Sequence, residues 1–192
     1  MNTKSFVKFL VATSTASLIA PSILSQSSIA QTSYSEDGVS FYCGEFLDKT
    51  SGEKIPATIA YVPQRKEHIS IIAWKSDHIP AWDAQTRCKT VSPKFQAFYQ
   101  DGRLNYLGTG INNGENVICA VVEEGQSCNP EDQLFQVKAN DNPQAVLEGL
   151  TGIIQGDSSD PIYQSTGQQI YVSMEELLNS APAIEEADLT SN

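Results

Sequence analysis

The sequence predicts an α+β domain with a mainly antiparallel sheet, two or three helices and two disulfides. Three observations lead there. β-branched runs and helical stretches interleave without the regular β-α-β rhythm that a parallel sheet requires. Between residues 82 and 99 the apolar period changes from two to three and four. Finally, Cys43, Cys88, Cys119 and Cys128 form an even set in a chain that begins like an exported one, where thiols meet an oxidising compartment.

Residues 1–30 carry Lys4 and Lys8, a weakly apolar stretch over 9–20, Pro21 and the small-residue sequence Ser28-Ile29-Ala30. That is the three-part layout of a secretory signal. Thr13, Ser14, Thr15 and Ser17 dilute the apolar part and argue against a retained anchor. No later apolar run approaches the roughly 20 residues of a membrane-spanning helix. Residues 31–38 read as a disordered lead-in, 39–182 as one domain and 183–192 as a flexible acidic tail.

The elements of the domain follow in order. Residues 39–43 alternate as a first strand, and 58–62 and 69–74 have the β-branched content of two more. Cys88, Val91, Phe95 and Phe98 then fall on one helical face, although Pro93 interrupts it. Two readings stay open there: a longer helix containing Pro93, or a short one over 94–100 capped by Ser92. Asp101-Gly102 ends either. Strands at 104–108 and 117–122 flank Asn112-Asn113-Gly114 in a loop longer than two residues, and 134–138 is a further strand. Asp141-Asn142-Pro143 opens a helix whose apolar face is Val146, Leu150, Ile153 and Ile154, with Gly156 closing it. After a polar loop, 170–172 is a short strand, and Ser173-x-x-Glu176 is a capping box before Leu177 and Leu178.

Four cysteines allow three pairings. Cys119 ends an apolar run and Glu123-Glu124-Gly125 supplies a turn that can return Cys128 to it, which favours Cys119 with Cys128 and leaves Cys43 with Cys88. A zinc site would need close C-x-x-C pairs, which are absent.

The whole chain of 192 residues carries 12 Lys plus Arg and 23 Asp plus Glu, a net −11. Loss of residues 1–30 removes two lysines and no acid, leaving 10 bases and 23 acids, or −13. Such a charge repels a phosphate backbone and excludes a nucleic-acid binder. All ten remaining bases lie between Lys49 and Lys138, while 139–192 holds nine acids and no Lys, Arg or His. The acidic rear reads as a solvated face, or as a surface that faces a basic partner or collects divalent cations.

An ordered set of motifs carries a family resemblance: Phe41-Tyr42-Cys43, Ile72-Ala73-Trp74-Lys75-Ser76, Arg87-Cys88-x-x-Val91-Ser92-x-x-Phe95-Gln96, Asp101-Gly102-x-Leu104-x-Tyr106-x-x-Thr109-Gly110, Val117-Ile118-Cys119-Ala120 and Leu134-Phe135. Together they resemble the circadian oscillating protein domain family of cyanobacteria, over about residues 41–178. The resemblance implies a small exported protein with a periplasmic or thylakoid-lumen address and peripheral membrane association. It implies no catalytic residues.

Reaction motifs are missing: there is no G-x-S-x-G elbow, phosphate loop, dinucleotide fingerprint or H-E-x-x-H. Nothing in the residues identifies a reaction. Glu123 with Glu124 reads as a solvated loop, and Asp157 with Asp160 supplies too few oxygens for calcium. No cofactor or metal is expected. Trp74, inside a strand, is expected in the core, whereas Trp82, after Ile79-Pro80-Ala81, is the best single surface candidate. The expected function is a monomeric, non-catalytic domain that binds a protein or membrane-attached partner. The alternative is an extracytoplasmic hydrolase using His68 or His78 with a nearby carboxylate.

Overall fold

The computed structural model describes residues 38–75, 82–138, 141–155 and 169–190. The chain divides into the units Met1–Ser33 and Tyr34–Asn192. The first unit, most of the expected lead-in, His78, Asp157 and Asp160 lie outside the described residues.

Strands β1 (Ser40–Asp48), β2 (Glu53–Val62) and β3 (Glu67–Ala73) pair as an antiparallel meander. Alternation assigns their two faces. Phe41, Ala60 and Ile69 stand side by side toward the core, while Tyr42, Ile59, Tyr61 and His68 share the opposite face. Helix α1 (Ala84–Gln100) lies on the core side of β1 and β2. It contains Pro93, so the longer of the two helical readings is the observed one. Pro93 and Lys89 are both exposed, which puts the missing backbone bond on the solvent side, where water can meet the Lys89 carbonyl. Asp83 caps the helix, accepting the Thr86 N–H at 2.7 Å, and this holds its carboxyl below the usual carboxylate range. At the far end Gly102 takes φ +68°, and the Arg103 N–H reaches the Phe98 carbonyl at 2.8 Å, closing a Schellman turn.

Strands β4 (Tyr106–Asn112), β5 (Glu115–Val121) and β6 (Gln133–Gln136) form a second antiparallel sheet. The β4–β5 loop is shorter than the sequence suggests. Asn112 pairs with Glu115, leaving Asn113 and Gly114 alone at φ +52° and +83°, a two-residue turn whose twist matches the strands. Helix α2 (Pro143–Gln155) buries Leu147 and Leu150; Ile153 and Ile154 lie beyond the described side chains. Strand β7 (Val172–Ser173) joins the β4 edge, and helix α3 (Met174–Ser180) follows with the expected cap, Ser173 Oγ accepting the Glu176 N–H at 3.2 Å. One apolar core lies between the two sheets and these helices, with Phe95, Ile69, Leu107, Ile118, Leu147 and Leu177 fully buried.

The disulfides are Cys43–Cys88 and Cys119–Cys128. The first ties β1 to α1 through the core. The second folds the 122–128 loop over the outer face of β4 and β5, beside Val117, Val121 and Tyr171.

Residues 183–190 of the expected loose acidic tail are instead ordered into the first sheet. Strand β8 (Ala183–Ile184) pairs with β3 and β9 (Leu189–Thr190) pairs with β1, giving the order β8-β3-β2-β1-β9. Only residues 185–188 separate strands at opposite edges. Five extended steps reach about 17 Å, whereas four flat strand spacings take about 19 Å before any offset along the strands. The sheet must therefore curl, and its right-handed twist draws two diagonal corners together. Arg65 fixes the approach by donating to the Leu178 and Ala181 carbonyls at 2.7 and 2.9 Å. Lys49 pairs with Glu185 and Asp188 at 2.9 and 3.1 Å, which raises its pKa above the usual lysine range.

Candidate functional site

Two concavities stand out among the described residues. One, of about 680 Å³, opens between Val39, Val62, Leu104 and Leu178 and is rimmed by Glu123, Glu124 and Glu175. The other, of about 690 Å³, runs between α1 and β6 and is the better formed chemically.

The α1–β6 groove is built from sequence neighbours turned to one side. α1 contributes Arg87, Thr90, Val91 and Lys94, which fall at helical spacing on one flank. β6 and the chain beyond it contribute Leu134, Phe135 and Lys138, and Asp141 stands at the end. Trp74 forms the floor, only 5% exposed, with its ring edge-on to Phe135 at 5.4 Å. Its indole N–H is satisfied inward by Thr58 Oγ1 at 3.1 Å, and Thr58 in turn meets Ser92 Oγ at 2.9 Å. This buried chain fixes the floor against α1. Trp74 is thus a core residue, although it lies just past the end of β3 rather than inside the strand, and its ring also lines the groove.

Trp82 has the opposite placement. It is 46% exposed at the groove mouth, a large apolar ring left partly in water. The Arg87 guanidinium lies over the Trp74 ring, 5.4 Å from the centroid, and donates to the Lys75 carbonyl at 2.6 Å. Lys94 Nζ donates to the Gln133 and Leu134 carbonyls at 3.3 and 3.1 Å, so the helix covers part of the strand edge. Among the described residues the lining holds three cations against one carboxylate, Asp141, in a chain whose net charge is −11. Sequence reasoning singled out Trp82 but missed this basic cluster, because Arg87 and Lys138 stand 51 positions apart, with Lys94 between, and only α1 packing on β6 gathers them.

His68 lines neither concavity. Its Nδ1 hydrogen-bonds the Tyr42 hydroxyl at 2.8 Å, and the Tyr61 ring stacks 4.8 Å away. Burial in this cluster lowers the imidazole pKa, with Glu186 pulling it back up. The residue sits between the two tyrosines, with Glu186 close enough to act on it electrostatically. All four cysteines are oxidised, and no group of three or more His, Cys, Asp or Glu among the described residues is placed to hold a metal ion. Among those residues no helix is long and apolar enough to cross a membrane.

No curated protein and no solved structure matches the chain. Residues 40–179 match the family described as Circadian oscillating protein COP23. That span begins at the first strand, ends inside α3, and includes both disulfides and the whole α1–β6 groove, so the chain belongs to the circadian oscillating protein COP23 family.

Proposed function

We propose that this protein is an exported, non-catalytic binding domain that works in the periplasm or thylakoid lumen of a cyanobacterium, attached peripherally to a membrane through a protein partner. The observation that carries the reading is the α1–β6 groove: a preformed concavity with a half-exposed Trp82 at its mouth. Its size is that of ordinary ligand sites, and its apolar wall carries a few placed polar groups. Two disulfides in a domain of this size favour an oxidising compartment. The net charge of −11 argues for a partner rather than bare anionic lipid, which would repel it.

Export is tested on the protein isolated from its host. A chain beginning at residue 31, gaining four hydrogens on reduction of its two disulfides, is the expected result; a chain retaining Met1 with free thiols would end the reading. Binding is tested by membrane fractionation. Native protein should sediment with membranes and Trp82→Ala should move to the soluble fraction. Equal attachment to protein-free anionic vesicles, with and without divalent cations, would contradict a protein partner.

A further inference from the structure

We propose that the α1–β6 groove is a binding site for a small, flat aromatic anion, a ring system bearing a carboxylate or an acid of similar geometry. The proposal deepens the binding-domain reading and rests on it in one respect, that the groove is the working surface.

Charge is the first argument. The chain is strongly acidic, yet three of its twelve cations, Arg87, Lys94 and Lys138, line this one concavity, with Asp141 as the sole carboxylate among the described lining residues. An acidic protein that focuses positive charge into a cleft raises the local concentration of anions there and not elsewhere on its surface. Ring shape is the second argument. Trp82 offers a half-exposed indole, and the Arg87 guanidinium, itself planar, already lies over the Trp74 ring. A planar ring entering beside Trp82 leaves that contact in place, while its acid group reaches the ammonium and guanidinium donors. The volume of about 690 Å³ suits a small molecule. A peptide strand adding to the edge of β6 fits less well, because Lys94 already takes the Gln133 and Leu134 carbonyls.

The test titrates the disulfide-intact protein with three probes sharing one ring: 2-naphthoate, 2-naphthamide and 2-naphthylmethylammonium, followed by tryptophan fluorescence and calorimetry. Naphthoate should bind about tenfold more tightly than the neutral amide, and the cation most weakly, as one charge-assisted contact predicts. Trp82→Ala should weaken naphthoate about fivefold, with Trp82→Phe restoring most of the loss. Lys138→Gln should narrow the preference for the anion over the amide by weakening naphthoate binding. Both side chains are at least partly exposed, so the variants should melt like the parent. Equal affinity for the three probes, no binding of any, or naphthoate affinity indifferent to both substitutions would overturn the proposal. Binding to anionic vesicles that depends on Trp82 would also overturn it, by assigning the groove to a lipid surface. If naphthoate fails while membrane attachment still depends on Trp82, the ligand class is wrong and the binding-domain reading stands.

Discussion

A Cβ added at Gly110 would lie 2.3 Å from Cys128 Cβ and 2.6 Å from its Sγ. Neither atom is the end of a flexible chain, since the cystine holds both against β4. Gly110→Ala should therefore force the 122–128 loop off the sheet and destabilise the protein by about 3 kcal/mol, as overpacking does, read from the denaturant midpoint; a neutral substitution would show that the cystine does not rest on this strand. The reason for glycine here is contact rather than a positive φ. His68 gives a second prediction at the same scale. Burial among Tyr42 and Tyr61 holds its folded pKa below the usual value, with Glu186 in partial opposition. The unfolded chain takes up the proton first, near pH ~6.5. The His68 contribution to stability is thus complete above that pH and declines as the pH falls from there toward the folded value. Thermal melts from pH 7.5 to 5 should show a slope that His68→Gln reduces; an identical slope in the variant would place the titration elsewhere.

At the scale of elements, the 183–190 segment matters most. It supplies both edge strands of the first sheet and crosses the Tyr42, Tyr61 and His68 face, so it is part of the fold. Ending the chain at residue 182 removes the β8 and β9 ladders and the Lys49 ion pairs with Glu185 and Asp188. The ion pairs are surface contacts worth little. The ladder bonds and the covered face matter more, and the loss should be about 2–4 kcal/mol. Faster amide exchange in β1 and β3, with β4 and β5 less affected, is the expected pattern; unchanged exchange would return the segment to a loose tail. Any binding lost on such truncation would reflect the damaged sheet as much as a lost contact, whereas Trp82→Ala leaves the sheet intact. The acids of this segment are partly spent on Lys49, which weakens the reading of the rear as a free acidic surface.

At the scale of the molecule, the two cystines restrain the unfolded chain unequally. Cys43–Cys88 closes a separation of 45 residues and Cys119–Cys128 one of 9. Loop-closure entropy alone gives about 4 and about 2.5 kcal/mol. The paired Cys43→Ala, Cys88→Ala variant should lower the denaturant midpoint more than Cys119→Ala, Cys128→Ala; the reverse order would show that native-state packing around Gly110 outweighs chain entropy. Much of this architecture was legible beforehand because it depends on local rules. Period-two alternation marked β1, β-branched content marked β2 and β3, Asp101-Gly102 ended α1, Ser173 with Glu176 capped α3, and the Gly125 turn pointed Cys128 back to Cys119. The sequence by itself also determined the class of fold, the family and the acidic balance, since each is carried by residue type and order. Tertiary structure alone decided that Pro93 could stay inside α1, because it faces solvent, and that 183–190 closes a sheet, because two-residue strands have no periodicity to read. It alone gathered Arg87, Lys94 and Lys138 beside Trp82. Coulomb attraction and ring stacking act over a few ångströms, and a line of residues holds no record of which distant side chains a helix will lay against a strand.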